Sequence, residues 1–527
     1  MNTLTKSSVI VAALGVAAFV LHTSDSDTFL LHGADDAISS VPVTATAEEQ
    51  SRSSGLDQKT AFDAAYAEAI IHDDAASVGI AYSVDQAASV SAAMATREAV
   101  SEDSKDDRER KRQAAKAKMS GPVAALAMVG GPEPAEIVVS YKDRPDLFED
   151  GRVEELGGEV LRHYEVLDLL AIRIPAESLI ELAIEEDVKR VSLDDAVVAG
   201  STILKTVANA PTGTSTNSSY KGNNQTVAIL DTGVAYHGDL SGSVRQYSFL
   251  NGACPRPAIY GGEIYSYRSS PRVDGYGHGT HIAGIIAGSG LNSLGVYRGP
   301  ASQVDILSLQ VLDEDGHGQM SDVMAAIDWL LKYGPYFDVS VANLSLGKPI
   351  TESNTTDPLV LAVERLWDNG VVVVVAAGNY GREGYFSITS PGNSRKIITV
   401  GSLTDNGTGS NFGDDYASSY SSRGPTVEDH VVKPDLVAPG NKLVAAVPVG
   451  ANLATLLPGN VVACSVNSYC SDNYLELSGT SMATGVVSAA AAMMLEKQSW
   501  LSPATVKARL MRSARHIDES PIVAGAG

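Results

Sequence analysis

Between residues 225 and 400 the chain carries apolar runs that do not alternate with polar residues: Gln225 to Leu230, Val304 to Val311, Val339 to Leu344, Val371 to Ala377 and Ile397 to Val400. A strand with one wet face alternates; a strand buried on both faces does not. Helical segments lie between these runs, Met320 to Tyr333 and Pro358 to Asp368, the second opened by Asp357-Pro358 and closed by Gly370. The pattern predicts an α/β domain with a mostly parallel β-sheet flanked by helices. Sheets of that kind form their sites outside the carboxyl ends of the strands.

The texture upstream differs. Glu136 to Tyr141, Leu169 to Ile174 and Val188 to Leu193 read as strands, with helical stretches Arg152 to Leu156 and Ala176 to Glu186. They predict a small α+β unit over 135–199, followed by a polar, easily cut linker over 200–224 and the large domain over 225–527. Residues 25–134 read as low-complexity and disordered, and their mixed-charge run Ser101 to Lys118 as a solvated helix or tether. The apolar run Ser8 to Leu21 after Lys6 suits a signal-peptide core and falls short of the roughly 20 residues of a membrane span. Residues 1–24 are therefore expected to be a signal peptide or an anchor, and the protein to be secreted.

With 63 Asp+Glu against 39 Lys+Arg, the chain lacks the basic balance that phosphate neutralisation favours, which argues against a nucleic-acid binder. The 3 cysteines cannot form a complete disulfide framework. Cys464 and Cys470 are close enough to close a small loop in an oxidising compartment, and Cys254 is expected to stand unpaired.

Candidate chemistry sits at strand ends and helix starts. Asp231 ends the run Gln225 to Leu230, in Asp231-Thr232-Gly233. His278 lies among glycines at the head of a small-residue helix, in Gly277-His278-Gly279-Thr280-His281. Asn379 follows Val371 to Ala377 and offers an amide donor. Ser481, in Ser478-Gly479-Thr480-Ser481-Met482-Ala483, opens an apolar helix whose first N–H groups favour a developing oxyanion. A serine needs a base and an orienting acid to become a nucleophile, and His278 and Asp231 are residues of the required types. His278 and His281 lack a third clustered ligand, so zinc is not expected, and His281 reads as a buried structural residue.

These blocks resemble the signatures of the subtilisin-like serine proteases, in that family's Asp, His, Ser order. Ser421-Ser422-Arg423-Gly424-Pro425 and Lys433-Pro434-Asp435 to Gly440 are also similar to its bacterial members. The resemblance implies an endopeptidase in which Asp231 orients His278, His278 is the base, Ser481 attacks, and Asn379 binds the oxyanion. It implies that Ser345, Leu346 and Gly347 pair with an extended protein or peptide substrate. It implies that the 135–199 unit is an inhibitory prodomain and partner of the same chain, that the zymogen processes itself, and that the enzyme acts as a monomer. A structural calcium ion is implied on Asp239 and Asn292 with the carbonyls of Leu294 and Val296, and no cofactor for catalysis. A silent, peptide-binding member of the same fold is the alternative. A lipase-type hydrolase would need a Gly-x-Ser-x-Gly elbow and Ser before Asp before His, which this chain lacks.

The chain departs from the family in three places. Gly485-Val486 replaces the usual Pro-His, Lys348 stands where a second glycine is common, and an insertion from Ala451 to Asn473 carries Cys464 and Cys470. The insertion is expected to form a disulfide-closed flap beside the cleft, and Lys348 to put a cation at the substrate edge.

Overall fold

Every residue of the strand Thr226–Asp231 is buried, and this strand lies near the middle of an 8-stranded sheet. The computed structural model describes residues 22–23, 29–30, 102–199 and 219–527, apart from 241, 243, 261–262, 267–269, 407, 409–411 and 464–472. Most of the proposed signal peptide, the linker up to 218, Cys464 and Cys470 lie outside the described residues. The chain divides into two compact units, 1–81 and 82–527. In the first, His22–Thr23 pairs antiparallel with Phe29–Leu30. The second holds the other described elements.

Across the large sheet the order is Tyr416–Ala417, Ile398–Thr404, Val372–Ala376, Val339–Leu344, Thr226–Asp231, Asp305–Gln310 and Val244–Ser248, with Leu436–Pro439 also pairing with Ile398–Thr404. All of these pairs are parallel except that of Tyr416–Ala417. The predicted helices Met320–Tyr333 and Pro358–Asp368 fall where expected. Asp357 caps the latter through Leu359 N at 2.9 Å, so the helix begins where its first N–H groups find an acceptor. Val227, Ile229, Leu230 and Val372 to Val375 are all 0% exposed, and burying each such side chain contributes about 1.5–3 kcal/mol. The helices His278–Ala287 and Thr480–Lys497 bring their first residues to the carboxyl end of this sheet.

The upstream unit is a four-stranded antiparallel sheet ordered Glu159–His163, Leu169–Pro175, Pro134–Tyr141 and Val188–Leu193. Its helices are Leu147–Glu155, opened by a capping box between Asp146 and Glu149, and Leu179–Ile184. Disorder over all of 25–134 is corrected here: Glu102–Ala117 and Gly121–Val129 are helices. Ala115, Met119, Val123 and Ala127 are buried in the unit's apolar core, which explains why a charged run stays ordered at its carboxyl end. Among the described residues, no helix is long and apolar enough to cross a membrane.

Within the 451–473 insertion, Val461–Ala463 and the returning strand Asn473–Leu477 pair antiparallel, and Asn473–Leu477 also pairs with Leu443–Val447. The insertion thus extends a small sheet.

Candidate active site

Asp231 closes its strand where the sheet stops and the next turn begins. Its Oδ1 accepts the Thr232 amide at 2.8 Å, and its two oxygens lie 2.7 and 2.9 Å from His278 Nδ1. Both residues are buried. With a carboxylate on Nδ1, the ring carries its proton there and Nε2 presents a lone pair. His278 Nε2 is buried and makes no hydrogen bond in this structure.

The turn that delivers His278 is held by a residue the sequence reading passed over. Asp274 accepts Gly277 N at 2.7 Å, Thr280 N at 2.8 Å and the Thr280 hydroxyl at 2.6 Å. Burial pushes its carboxyl up, and those donors pull the other way. Gly279 permits the close approach that follows: a Cβ there would meet the Gly233 carbonyl oxygen at 2.2 Å. Gln246 braces the same loop, accepting Val234 N at 2.8 Å and donating to Val273 O at 2.9 Å. Asp274-Gly275 ahead of Gly277 was a visible turn signal, whereas Gln246 gave none.

His281 has the structural role expected of it. Its Nε2 lies 2.8 Å from the Leu475 carbonyl, and burial pushes its pKa down to about 3, which keeps it neutral. Among the described residues no cluster of three metal-ligating side chains occurs.

Ser481 is 0% exposed in the first turn of Thr480–Lys497. Its hydroxyl donates to the Ser345 carbonyl at 3.2 Å, and the Ser345 hydroxyl donates to the Ser481 carbonyl at 3.1 Å. Asn343 donates to Ser345 Oγ at 2.9 Å and accepts Ser488 Oγ at 2.9 Å, tying the strand Val339–Leu344 to the serine helix. Asn379 Oδ1 accepts Thr480 N at 2.9 Å and the Thr480 hydroxyl at 3.1 Å, so the donor end of the amide is turned away from Thr480.

The cleft beside these groups holds a strand of the same chain. Ala196–Ala199 lies between His317–Gln319 and Leu346–Gly347, antiparallel to both. Ala199 stands opposite Leu346 and Val198 opposite Gly347, while Ala199 N donates to Gly316 O at 2.9 Å. A side chain at 347 would collide with Thr389 Oγ1 at 2.6 Å, so Gly347 keeps this edge flat enough for a visiting backbone.

Behind the strand, buried charges join the small unit to the large domain. Arg162 pairs with Asp322, and Asp328 accepts the amides of Glu165, Val166 and Leu167, each at 2.7 Å. Asp194 accepts Ser321 N at 2.8 Å at the head of Met320–Tyr333, and burial pushes its pKa up to about 6. Arg190 pairs with Glu352 at 2.8 Å.

Asp239, named with Asn292 for calcium, has both carboxylate oxygens hydrogen-bonded. Its Oδ2 accepts the Tyr474 hydroxyl at 2.7 Å and Oδ1 accepts Asn292 N at 2.8 Å. The residues whose carbonyls were named with it, Leu294 and Val296, lie exposed. Tyr474 comes from the strand that returns from the insertion, a partner invisible to local sequence.

A helix-borne serine, a carboxylate-held imidazole and an edge that pairs with extended backbone together mark a serine hydrolase of peptide bonds. A family model described as the subtilase family matches residues 222–527, more than half of the chain. The chain belongs to the subtilase family of serine endopeptidases. Serine protease AprX of Bacillus subtilis is 36% identical over 312 residues, 58% of this chain and 65% of its own length. Subtilisin DY of Bacillus licheniformis is 33% identical over 303 residues, 57% of this chain and 87% of its own. The thermostable alkaline protease of Halalkalibacterium halodurans is 28% identical over 370 residues, 70% of this chain and 83% of its own. The crystal structure of fervidolysin from Fervidobacterium pennivorans resembles the chain with a TM-score of 0.55 at 22% identity, covering 75% of this chain and 60% of fervidolysin; that likeness concerns the fold.

Proposed function

We propose that the chain is a secreted endopeptidase made as a self-processing zymogen. Asp231 holds the imidazole of His278, whose Nε2 takes the proton of Ser481 as Oγ attacks the carbonyl carbon of the peptide bond. The resulting oxyanion is received by the Asn379 amide and the Ser481 N–H at the helix start. His278 then gives its proton to the leaving amine, and water releases the acyl group from Ser481 by the same steps in reverse. Ser345, Leu346 and Gly347 receive the substrate backbone as an added strand.

The observation that carries this reading is the antiparallel pairing of Ala196–Ala199 with both walls of the cleft. A segment held as a substrate would be held also acts as an inhibitor until it is released. The match to the Halalkalibacterium halodurans protease supports the reading, since it spans 370 residues of this chain, more than residues 222–527 supply, and so reaches back into the small unit. The bond proposed for self-cleavage follows position 200, one residue past the tail strand.

Mass spectrometry of purified wild type and Ser481→Ala tests the proposal. The wild type is expected as a chain beginning at Ser201 with the small unit as a separate fragment, and Ser481→Ala as a single uncut chain. Turnover of peptide substrates by Ser481→Ala is expected to fall by about 10⁴-fold or more. If both proteins stay uncut and the wild type does not react with a fluorophosphonate, the peptide-binding reading replaces this one. Calcium plays a minor part in the proposal: chelation is expected to move the Tm, read by calorimetry, by less than about 2 °C, because Tyr474 already holds Asp239.

A further inference from the structure

Five residues of the tail engage the cleft, and the first of them is charged. Asp195 precedes the strand Ala196–Ala199, and its carbonyl accepts Met320 N at 2.9 Å, continuing the ladder by one position. Its Oδ2 accepts Lys348 Nζ at 3.1 Å and the Thr351 hydroxyl at 3.4 Å. Lys348 directly follows the strand Leu346–Gly347 that receives the tail.

The large domain also holds this lysine. With the tail in place Lys348 is 1% exposed, and its backbone pairs with Ser390 in both directions, at 3.0 and 2.9 Å. Its Nζ also lies 3.5 Å from Asp357 Oδ2. Asp357 is itself committed elsewhere: it caps Pro358–Asp368 through Leu359 N and accepts the Ser390 hydroxyl at 2.7 Å. Lys348, Thr351 and Asp357 all belong to the large domain, so they stay behind when the small unit leaves. A peptide that binds as the tail does then brings its own residue to this cation.

Resting on the peptidase reading above, we propose that Lys348 is a specificity-determining residue that selects an acidic side chain in extended substrates, at the position held here by Asp195. That position lies four residues before the one opposite Leu346. Thr351 adds a second donor, and Met320 N fixes the backbone so that the carboxylate reaches both. Glu352 sets the limit on this preference. In the structure it is neutralised by Arg190 of the small unit. A free peptide brings no counterpart of Arg190, so its carboxylate meets Lys348 with Glu352 still charged nearby. The preference is therefore a few-fold to about tenfold, the range of partly exposed ion pairs.

The test uses the processed enzyme and internally quenched peptides carrying the sequence from Leu193 to Leu204, with Asp, Asn, Ala or Lys at position 195. Wild-type kcat/KM is expected to favour Asp over Asn by about fivefold and over Lys by more than about tenfold. Lys348→Met is expected to bring the series to within about twofold, and Lys348→Arg to keep its order, which guards against a folding defect in the neutral variant. Glu352→Gln is expected to sharpen the preference for Asp. Equal cleavage of all peptides by the wild type, or an unchanged order in Lys348→Met, overturns the role of Lys348 and leaves the peptidase reading standing. Failure to cleave any peptide overturns both.

Discussion

The small unit is held to the large domain by two contacts of opposite character. The tail Ala196–Ala199 is held by backbone hydrogen bonds to two strands, a mode that almost any extended sequence satisfies, with one side chain, Val197, fully buried in the large core. The seam behind it is built from particular side chains: Arg162 on Asp322, Asp328 on three amides, Asp194 on a helix start and Arg190 on Glu352. On the proposed zymogen reading, a cut after the tail would leave the seam untouched, so cutting and release would be separate events, with release governed by the buried carboxylates of the seam.

The comparison breaks most readily at Asp328. Asp328→Ala leaves three amides without their acceptor and should weaken the hold on the severed unit by about 10²–10³-fold, read as the loss of the lag before peptidase activity appears. If the lag is unchanged, the seam is not what holds the unit.

Next in size is pH. Burial raises the carboxyl of Asp194 to about 6. In the docked state it binds a proton that it gives up once released into water. The contribution to docking is thus fully present below the ordinary carboxylate range and lost as pH rises through about 6. The severed unit should leave about tenfold faster or more at pH 7 than at pH 4.5, followed by size-exclusion chromatography of the cut complex. A rate that slows with pH would reverse the assignment.

The smallest effect is expected in the tail. Val198 is only half-buried, and Val198→Ala retains the ladder to Gly347 and His317, so the lag should change by less than about threefold. A larger loss would mean that side-chain pockets, and not the backbone, hold the tail.

What could be read from the sequence follows the same division between local and distant causes. Val339–Leu344 and Pro358–Asp368 were legible because an unbroken apolar run and an Asp-Pro cap act within a few residues. Glu159–His163 and Val244–Ser248 were missed: both are edge strands rich in polar residues, whose pairing comes from a neighbour. Asp231, His278, Asn379 and Ser481 were named from strand ends and helix starts. Asp274 and Gln246, which hold the loops around them, were not.

By itself, the sequence determined the parallel sheet, the order of its helices and the residues that converge at its carboxyl end, since periodicity and capping are local properties of the chain. Only the tertiary structure decided that Ala196–Ala199 is a strand, because its hydrogen-bond partners lie more than a hundred residues away. In the same way it set Lys348 against Asp195 and Tyr474 against Asp239. Each of these contacts joins charges or donors distant in sequence, and a polar group reveals its partner only once folding has removed the water between them.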